Sequence, residues 1–249
     1  MNAEAPKIGF DRFIKAEWAT TAIEVRAGHV ESKDLMALLE SDGLSVAAIK
    51  KTKTVLNRLW LEPRRELADF VDRGLSLYQA HARASALHWG VSIATYPFFA
   101  HVAEMVGRLT SIQGDCATAE VHRRMSERYG EREGTYRMTN MVLQSQADWG
   151  AIVRVDSNKR LVRKDHLIIS DTSLAGWLLE ASVRSAGKPI PTTAFGTLPI
   201  LFPFSLAASA SYAASENASL ELMSVGGGKE MIALSSAAEQ ATRKRARST

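Results

Sequence analysis

Four cations stand within six residues at Lys159, Arg160, Arg163 and Lys164, with only Asp156 and Asp165 as acidic neighbours on either side. A second set runs from Arg123, Arg124 and Arg128 to Arg132, Thr135, Tyr136, Arg137 and Asn140. Long cationic side chains can track a phosphate backbone or enter a minor groove. Arginine matches the guanine edge and asparagine the adenine edge, while Thr135 and Tyr136 carry hydroxyls suited to phosphate oxygens. These residue types imply contact with double-stranded DNA. Two features oppose it. Glu131 and Glu133 would repel phosphate if they faced it, and Arg137 follows Glu133 at the spacing of a solvated helical ion pair. A further basic group, Lys50, Lys51, Lys53 and Arg58 with Arg64 and Arg65, reads either as a solvated helix face or as a second phosphate-tracking surface.

No arrangement of residues supports catalysis, and the chain is expected to be neither an enzyme nor a holder of cofactor or metal. Gly226-Gly227-Gly228-Lys229-Glu230 lacks the spacing and the hydroxyl residue of a phosphate-binding loop, and reads as a turn. No nucleophile elbow or zinc-protease helix motif occurs. Among the histidines, His29, His81, His88, His101, His122 and His166, His81 and His88 are expected to share a face of one helix over 75–89. A pair falls short of the three or four ligands a metal needs. Cys116 is the single cysteine, which excludes an internal disulfide and reads as a buried, inert thiol. The sequon at Asn217-Ala218-Ser219 carries no weight in a reducing compartment.

The elements that must position the cations can be read from periodicity and punctuation. Helices are expected over 14–27 (ended by Gly28), from Ser32 with Leu35, Leu38 and Leu39 inward, and from Ser45 with Val55, Leu56 and Leu59 inward. Others follow over 63–73 (stopped by Gly74), over 75–89 and over 98–109, with breaks at Gly90 and Tyr96-Pro97. Trp60, Trp89, Tyr96, Phe98 and Phe99 are the expected core anchors of this bundle. Thr118-Ala119-Glu120 opens a helix with Val121, Met125 and Tyr129 inward, and Gly130 ends it. A longer helix covers 131–148. Ile152, Val153 and Val155 form a strand, Asp156-Ser157-Asn158 a turn, and Leu161-Val162 the return strand. A helix over 174–185 and a hairpin of 220–225 with 230–234 complete the chain.

The chain has 249 residues, 46% hydrophobic and 23% charged, with 31 Lys+Arg against 27 Asp+Glu for a net charge of +4. These values exclude bulk disorder and make the placement of the charge more informative than its size. The N-terminus lacks a secretory apolar region. The charge-free stretch between Lys188 and Glu216 is interrupted by Pro191, Pro199 and Pro203, so it reads as core and not as a membrane span. The expected compartment is the cytoplasm. The fold expected is mainly α: a helical bundle over 1–115, a winged helix-turn-helix over 116–170, a small α+β part over 171–236 and a basic disordered tail over 237–249 carrying Arg243, Lys244, Arg245 and Arg247. In a winged helix the second helix of the pair enters the major groove and the hairpin supplies a cationic wing.

Three stretches carry a resemblance to a family: VESKDLMALLESDGLSVAAIKKTKTVLNRLWL, then ALHWGVSIATYPFFAHVAEMVGRL, then the segment from Thr118 to Lys164. In arrangement they resemble the accessory protein A family of bacteriophage-exclusion (BREX) defence systems. The resemblance implies a helical domain similar to the transcription antitermination factor NusB joined to a winged helix, and double-stranded DNA binding within phage defence. Protein partners in a defence complex are implied with it, and a homo-oligomer is a separate expectation. Leu174 to Leu234 departs from that shorter pattern. Two other readings stand beside it. The winged helix could dock a protein, with the apolar 191–206 segment as the partner surface, or the chain could be a transcriptional regulator dimerising through its C-terminal part.

Overall fold

The computed structural model describes residues 9–239; of the disordered tail expected over 237–249, residues 237–239 are helical, and the rest, with its basic residues, lies outside the described residues. The protein is mainly helical, with small sheets from residue 115 onward. The N-terminal part contains α1 (Ala16–Ala27), α2 (Ser32–Ser41), α3 (Val46–Leu56), α4 (Ala68–Gln79), α5 (Ala84–Thr95) and α6 (Pro97–Leu109), with a π-helical turn over Asn57–Leu61 continuing α3. Local chemistry accounts for their ends. Gly28 takes φ 77° and closes α1, Glu31 and Asp34 form a capping box on α2, and the Ser45 hydroxyl accepts from the Ala48 N–H to start α3. Pro97 opens α6, where its missing N–H costs nothing.

Then follow β1 (Asp115–Ala117), α7 (Thr118–Tyr129), α8 (Glu133–Asp148), β2 (Ile152–Val155) and β3 (Arg160–Arg163). The three strands form one antiparallel sheet in the order β1-β3-β2, with Asp115 opposite Val162 and Val153 opposite the same residue on the other side. The remainder holds β4 (Leu167–Ile169), α9 (Thr172–Ala186), β5 (Ile190–Pro191), β6 (Phe204–Leu206), α10 (Ala210–Ser215), β7 (Leu220–Val225) and β8 (Lys229–Leu234). β4 pairs in parallel with β6, and β7 and β8 form the expected hairpin, with β5 on the far side of β8. No helix among the described residues is long and apolar enough to cross a membrane.

Buried apolar residues from Phe10 to Ile232 form one continuous cluster. The five expected anchors are all buried. Two interactions tie the later elements to the bundle. The first holds the end of α8: the Trp149 indole N–H donates to the Ile14 carbonyl at 2.9 Å, and the Ile14 N–H donates to the Ser145 hydroxyl at 2.9 Å. The second holds α9. The Trp177 ring stacks on Phe70 at 4.4 Å and 3°, and its N–H donates to the Phe70 carbonyl at 2.9 Å. Beside it, Glu180 is fully buried but satisfied, accepting from Arg73 at 2.6 and 2.8 Å, from Arg184 at 2.8 Å and from Asn217 at 3.1 Å.

Trp177 explains two departures from the sequence reading. Gly74 and Gly90 were expected to end helices, yet α4 runs through Gly74 and α5 through Gly90. A Cβ at Gly90 would lie 2.1 Å from the Trp177 ring, and one at Gly74 would lie 2.9 Å from it. Both glycines thus clear the slot that receives the indole. The single helix expected over 75–89 is broken instead between Gln79 and Ala84, where His81 adopts φ 66°. His81 and His88 therefore do not share a helix. The 191–206 segment is also not an open partner surface. The Trp89 N–H donates to the Ile200 carbonyl at 2.9 Å, Phe202 and Phe204 lie edge-on to the Trp89 ring, and Phe195, Leu201 and Phe202 are buried.

His88 is completely buried, receives the Trp60 indole N–H on Nδ1 at 3.1 Å, and has Nε2 3.1 Å from the Thr20 hydroxyl. Burial pushes its pKa down to about 3. His101, half-buried against the Tyr129 hydroxyl at 2.6 Å, is pushed down to about 4, by burial first and by Arg128 second. Both folded pKa values lie below the unfolded value of roughly 6.5. The unfolded chain then takes up protons that the folded chain refuses, so stability is full above about pH 6.5 and falls as pH drops, His101 contributing down to about pH 4 and His88 down to about pH 3. Urea midpoints measured between about pH 7 and pH 4.5 are expected to decline, less steeply in His88→Gln; a flat midpoint over that window contradicts the assignment. Gly90→Ala is expected to lower unfolding free energy by about 1–3 kcal/mol through overpacking against Trp177, and an unchanged denaturation curve would refute the slot.

Candidate nucleic-acid interface

α7 and α8 each bury one stripe, and that decides which of their polar residues reach solvent. On α7 the buried residues are Thr118, Val121, His122, Met125 and Tyr129. On α8 they include Thr135, Met138, Thr139, Val142 and Leu143. The outward faces of both helices and the tip of the β2–β3 hairpin enclose an open groove of about 1360 Å³. The tip is tight. Asp156, Ser157 and Asn158 all take positive φ (52°, 54° and 68°), a conformation asparagine and aspartate tolerate best. It is also fastened to α7, because the Thr118 N–H donates to the Lys159 carbonyl at 2.9 Å and the Thr118 hydroxyl to the Asn158 carbonyl at 2.7 Å.

The groove gathers some of the expected residues. Arg137 and Lys159 are exposed on its walls, and no hydrogen bond or ion pair engages either side chain among the described residues. Arg137 therefore does not form the ion pair with Glu133 that its spacing allowed. Tyr136 is 57% exposed and stacks on the His122 ring at 3.9 Å and 20°. Asn140 is half-buried and accepts from the Arg154 guanidinium at 3.2 Å. Arg132 is exposed at the start of α8, with Nε 3.4 Å from the Thr135 hydroxyl. The walls carry four Arg or Lys side chains against the carboxylates of Glu127, Glu131 and Glu133, a small positive surplus.

Other expected contacts are corrected. Thr135 has no exposed surface, since it shares the inward stripe of α8 with Met138 and Thr139, and it cannot reach a phosphate. Arg123 is held by Glu120 at 2.6 Å and by Glu127, and Arg124 by Glu120 at 3.0 Å, so their charges are already matched within α7. The four cations expected on the wing, Lys159, Arg160, Arg163 and Lys164, are dispersed. Arg160 is exposed but pairs with Asp115 across the β1–β3 ladder. Arg163 turns away from the groove, half-buried with its guanidinium carbon 6.0 Å from the centre of the Phe202 ring. Lys164 is exposed just past β3, away from the groove walls. Lys50, Lys51, Lys53 and Arg58 are exposed on α3 and the turn after it, and line no part of this groove.

Arg154 was not singled out from sequence. It shares the two-residue period of β2 with the buried Ile152, which places it on the inner side of the hairpin beneath α8. Its Nε is buried without a partner, and burial lowers its pKa. A cation stripped of water with no carboxylate beside it favours an arriving anion. His122 is 7% exposed with neither ring nitrogen hydrogen-bonded. Burial lowers its pKa, the nearby Asn140 side chain opposes that, and Arg154 adds to it, so the imidazole is held toward neutrality. Cys116 is buried and its thiol is pushed up to about 11, by burial first and by Asp115 and Glu120 next.

His122→Phe is expected to change stability by less than about 1 kcal/mol or to raise it, since it removes unpaired polar atoms while keeping a ring under Tyr136; a larger loss in chemical denaturation would show that the imidazole has a partner. Comparison with protein-family models, with curated proteins and with solved structures finds no match to this chain.

Proposed function

We propose that β1, α7, α8 and the β2–β3 hairpin, with α6 as the leading helix, form a winged helix-turn-helix that binds double-stranded DNA without catalysing a reaction on it. The observation that carries this reading is the strand order β1-β3-β2 with two helices between β1 and β2, which sets the hairpin tip beside the exposed face of α8. In such a unit the second helix lies in the major groove and the wing follows the backbone. Arg137 and Asn140 then face base edges, with Arg132 at the helix start, while Lys159 and Arg154 meet phosphates. Arg123, Arg124 and Arg160, already matched by carboxylates, contribute little. The exposed cations of α3 supply a second, separate phosphate-tracking surface. The resemblance in arrangement to the phage-exclusion accessory family supports a place for this binding in a bacterial defence assembly, in the cytoplasm and with protein partners. Neighbouring methyltransferase, ATPase and phosphatase-like genes are the check on that placement.

The test is an anisotropy titration of duplex DNA at two salt concentrations. Wild-type affinity is expected to fall steeply with salt. Combined Arg137→Ala, Arg154→Gln and Lys159→Ala should weaken binding and reduce the log–log salt slope by about one per lost phosphate contact. Arg124→Ala should bind nearly as well as wild type. Unchanged binding in the triple variant overturns the assignment of the groove, and an absence of wild-type binding overturns the function.

A further inference from the structure

Arg163 leaves the hairpin's charged set for a different environment. It enters a second cavity, of about 590 Å³, between the base of the hairpin, the C-terminal end of α6 and the proline-punctuated segment. That volume lies within the range of small-molecule sites, roughly 300–1,000 Å³. The cavity shares no lining residue with the groove of α7 and α8, and no aspartate or glutamate lines it. Its basic residues are Arg108, Arg163 and His166, and the His166 imidazole is held toward neutrality by burial first and by Arg163 second. Arg108 is engaged by Glu104 at 2.5 Å. Arg163 has no carboxylate partner among the described residues, and burial alone lowers its pKa. Its charge has lost water without gaining a counter-ion, a cost that a bound anion would remove. The Phe202 ring, 6.0 Å from the guanidinium carbon, holds that cation against this wall of the cavity.

The rest of the cavity is not built for a bare ion. Phe195, Leu201 and Phe202 are buried in its wall, and the wall is held close to α6, where a Cβ at Gly107 would lie 2.1 Å from the Pro199 carbonyl oxygen. A ring or short chain has the partly exposed Leu198, Phe204 and Leu206 to cover there, while its acid group meets Arg163. We infer that this cavity is a binding site for a small carboxylate with an apolar body, aromatic or medium-chain, its acid group paired with Arg163. The site is independent of the DNA reading, because it uses none of the groove's residues.

The experiment is a calorimetric titration of the full chain with benzoate and octanoate. Benzyl alcohol and octanol serve as neutral counterparts, and inorganic phosphate as a bare anion. Saturable binding is expected for at least one carboxylate and for none of the three controls. Arg163→Met, which keeps a chain over Phe202 but removes the charge, is expected to weaken it by about tenfold or more with an unchanged circular dichroism spectrum. Should that variant fail to fold, Ala208→Leu fills the cavity with Arg163 intact and is expected to abolish binding. Absence of saturable carboxylate binding overturns the site. So does equal binding of a neutral counterpart or of phosphate, or binding unchanged in the folded variants.

Discussion

Trp149 ends α8 and also sits inside an aromatic chain that crosses the bundle. Its ring is 5.5 Å from Phe99, 5.9 Å from His88 and 6.5 Å from Phe10, and His88 in turn is 5.8 Å from Trp60. The indole N–H is committed to the Ile14 carbonyl. An aromatic ring with its polar edge satisfied in the interior has few alternative placements. The axis of α8 is therefore set by the N-terminal bundle rather than by the short sheet beside it. That constraint places Arg137 and Asn140 relative to the hairpin tip, because β2 begins three residues after Trp149. The buried state of His88 belongs to the same arrangement, since a protonated imidazole could not accept from the Trp60 indole.

Charge across the α7–α8 unit is sorted by geometry more than by abundance. Arginines on α7 find glutamates one turn away, and Arg160 finds Asp115 on the neighbouring strand. Such exposed pairs add little stability, but they blunt the field that a charge count alone would suggest. What reaches solvent unmatched is a sparse set at the groove, Arg137 and Lys159, with Arg154 deeper beneath α8. Sparse, positioned charge sets orientation more than it sets long-range attraction.

The helical bundle, the α7–α8 pair and both hairpins were legible in the sequence, since long apolar periodicities and the Asp156-Ser157-Asn158 and triple-glycine turns are local signals. β1 was not, because three residues paired to a strand 45 positions away leave no periodic trace. The same pairing decides the fate of Arg160, so that ion pair was equally hidden. Gly74 and Gly90 looked like helix ends because the reason for them, the Trp177 ring, lies about a hundred residues downstream. Thr135 and His122 were readable in principle. Each falls on the buried stripe of its helix, and Thr135 was placed at the surface by its chemistry when its spacing pointed inward. The Arg124 and Glu120 pairing was also open to inspection at its four-residue spacing.

The fastening of the hairpin tip to Thr118 has a thermodynamic consequence. A hairpin tip that is loose in the free protein must surrender backbone freedom if it settles on a partner, and that loss subtracts from affinity. Here three residues in the left-handed region and two hydrogen bonds to the start of α7 have already removed most of that freedom during folding. The freedom left at the tip is mainly that of its exposed side chains, Lys159 the longest among them. For the binding proposed above, the surface that α7, α8 and the tip present is thus ordered before the encounter, which suits a duplex of fixed shape.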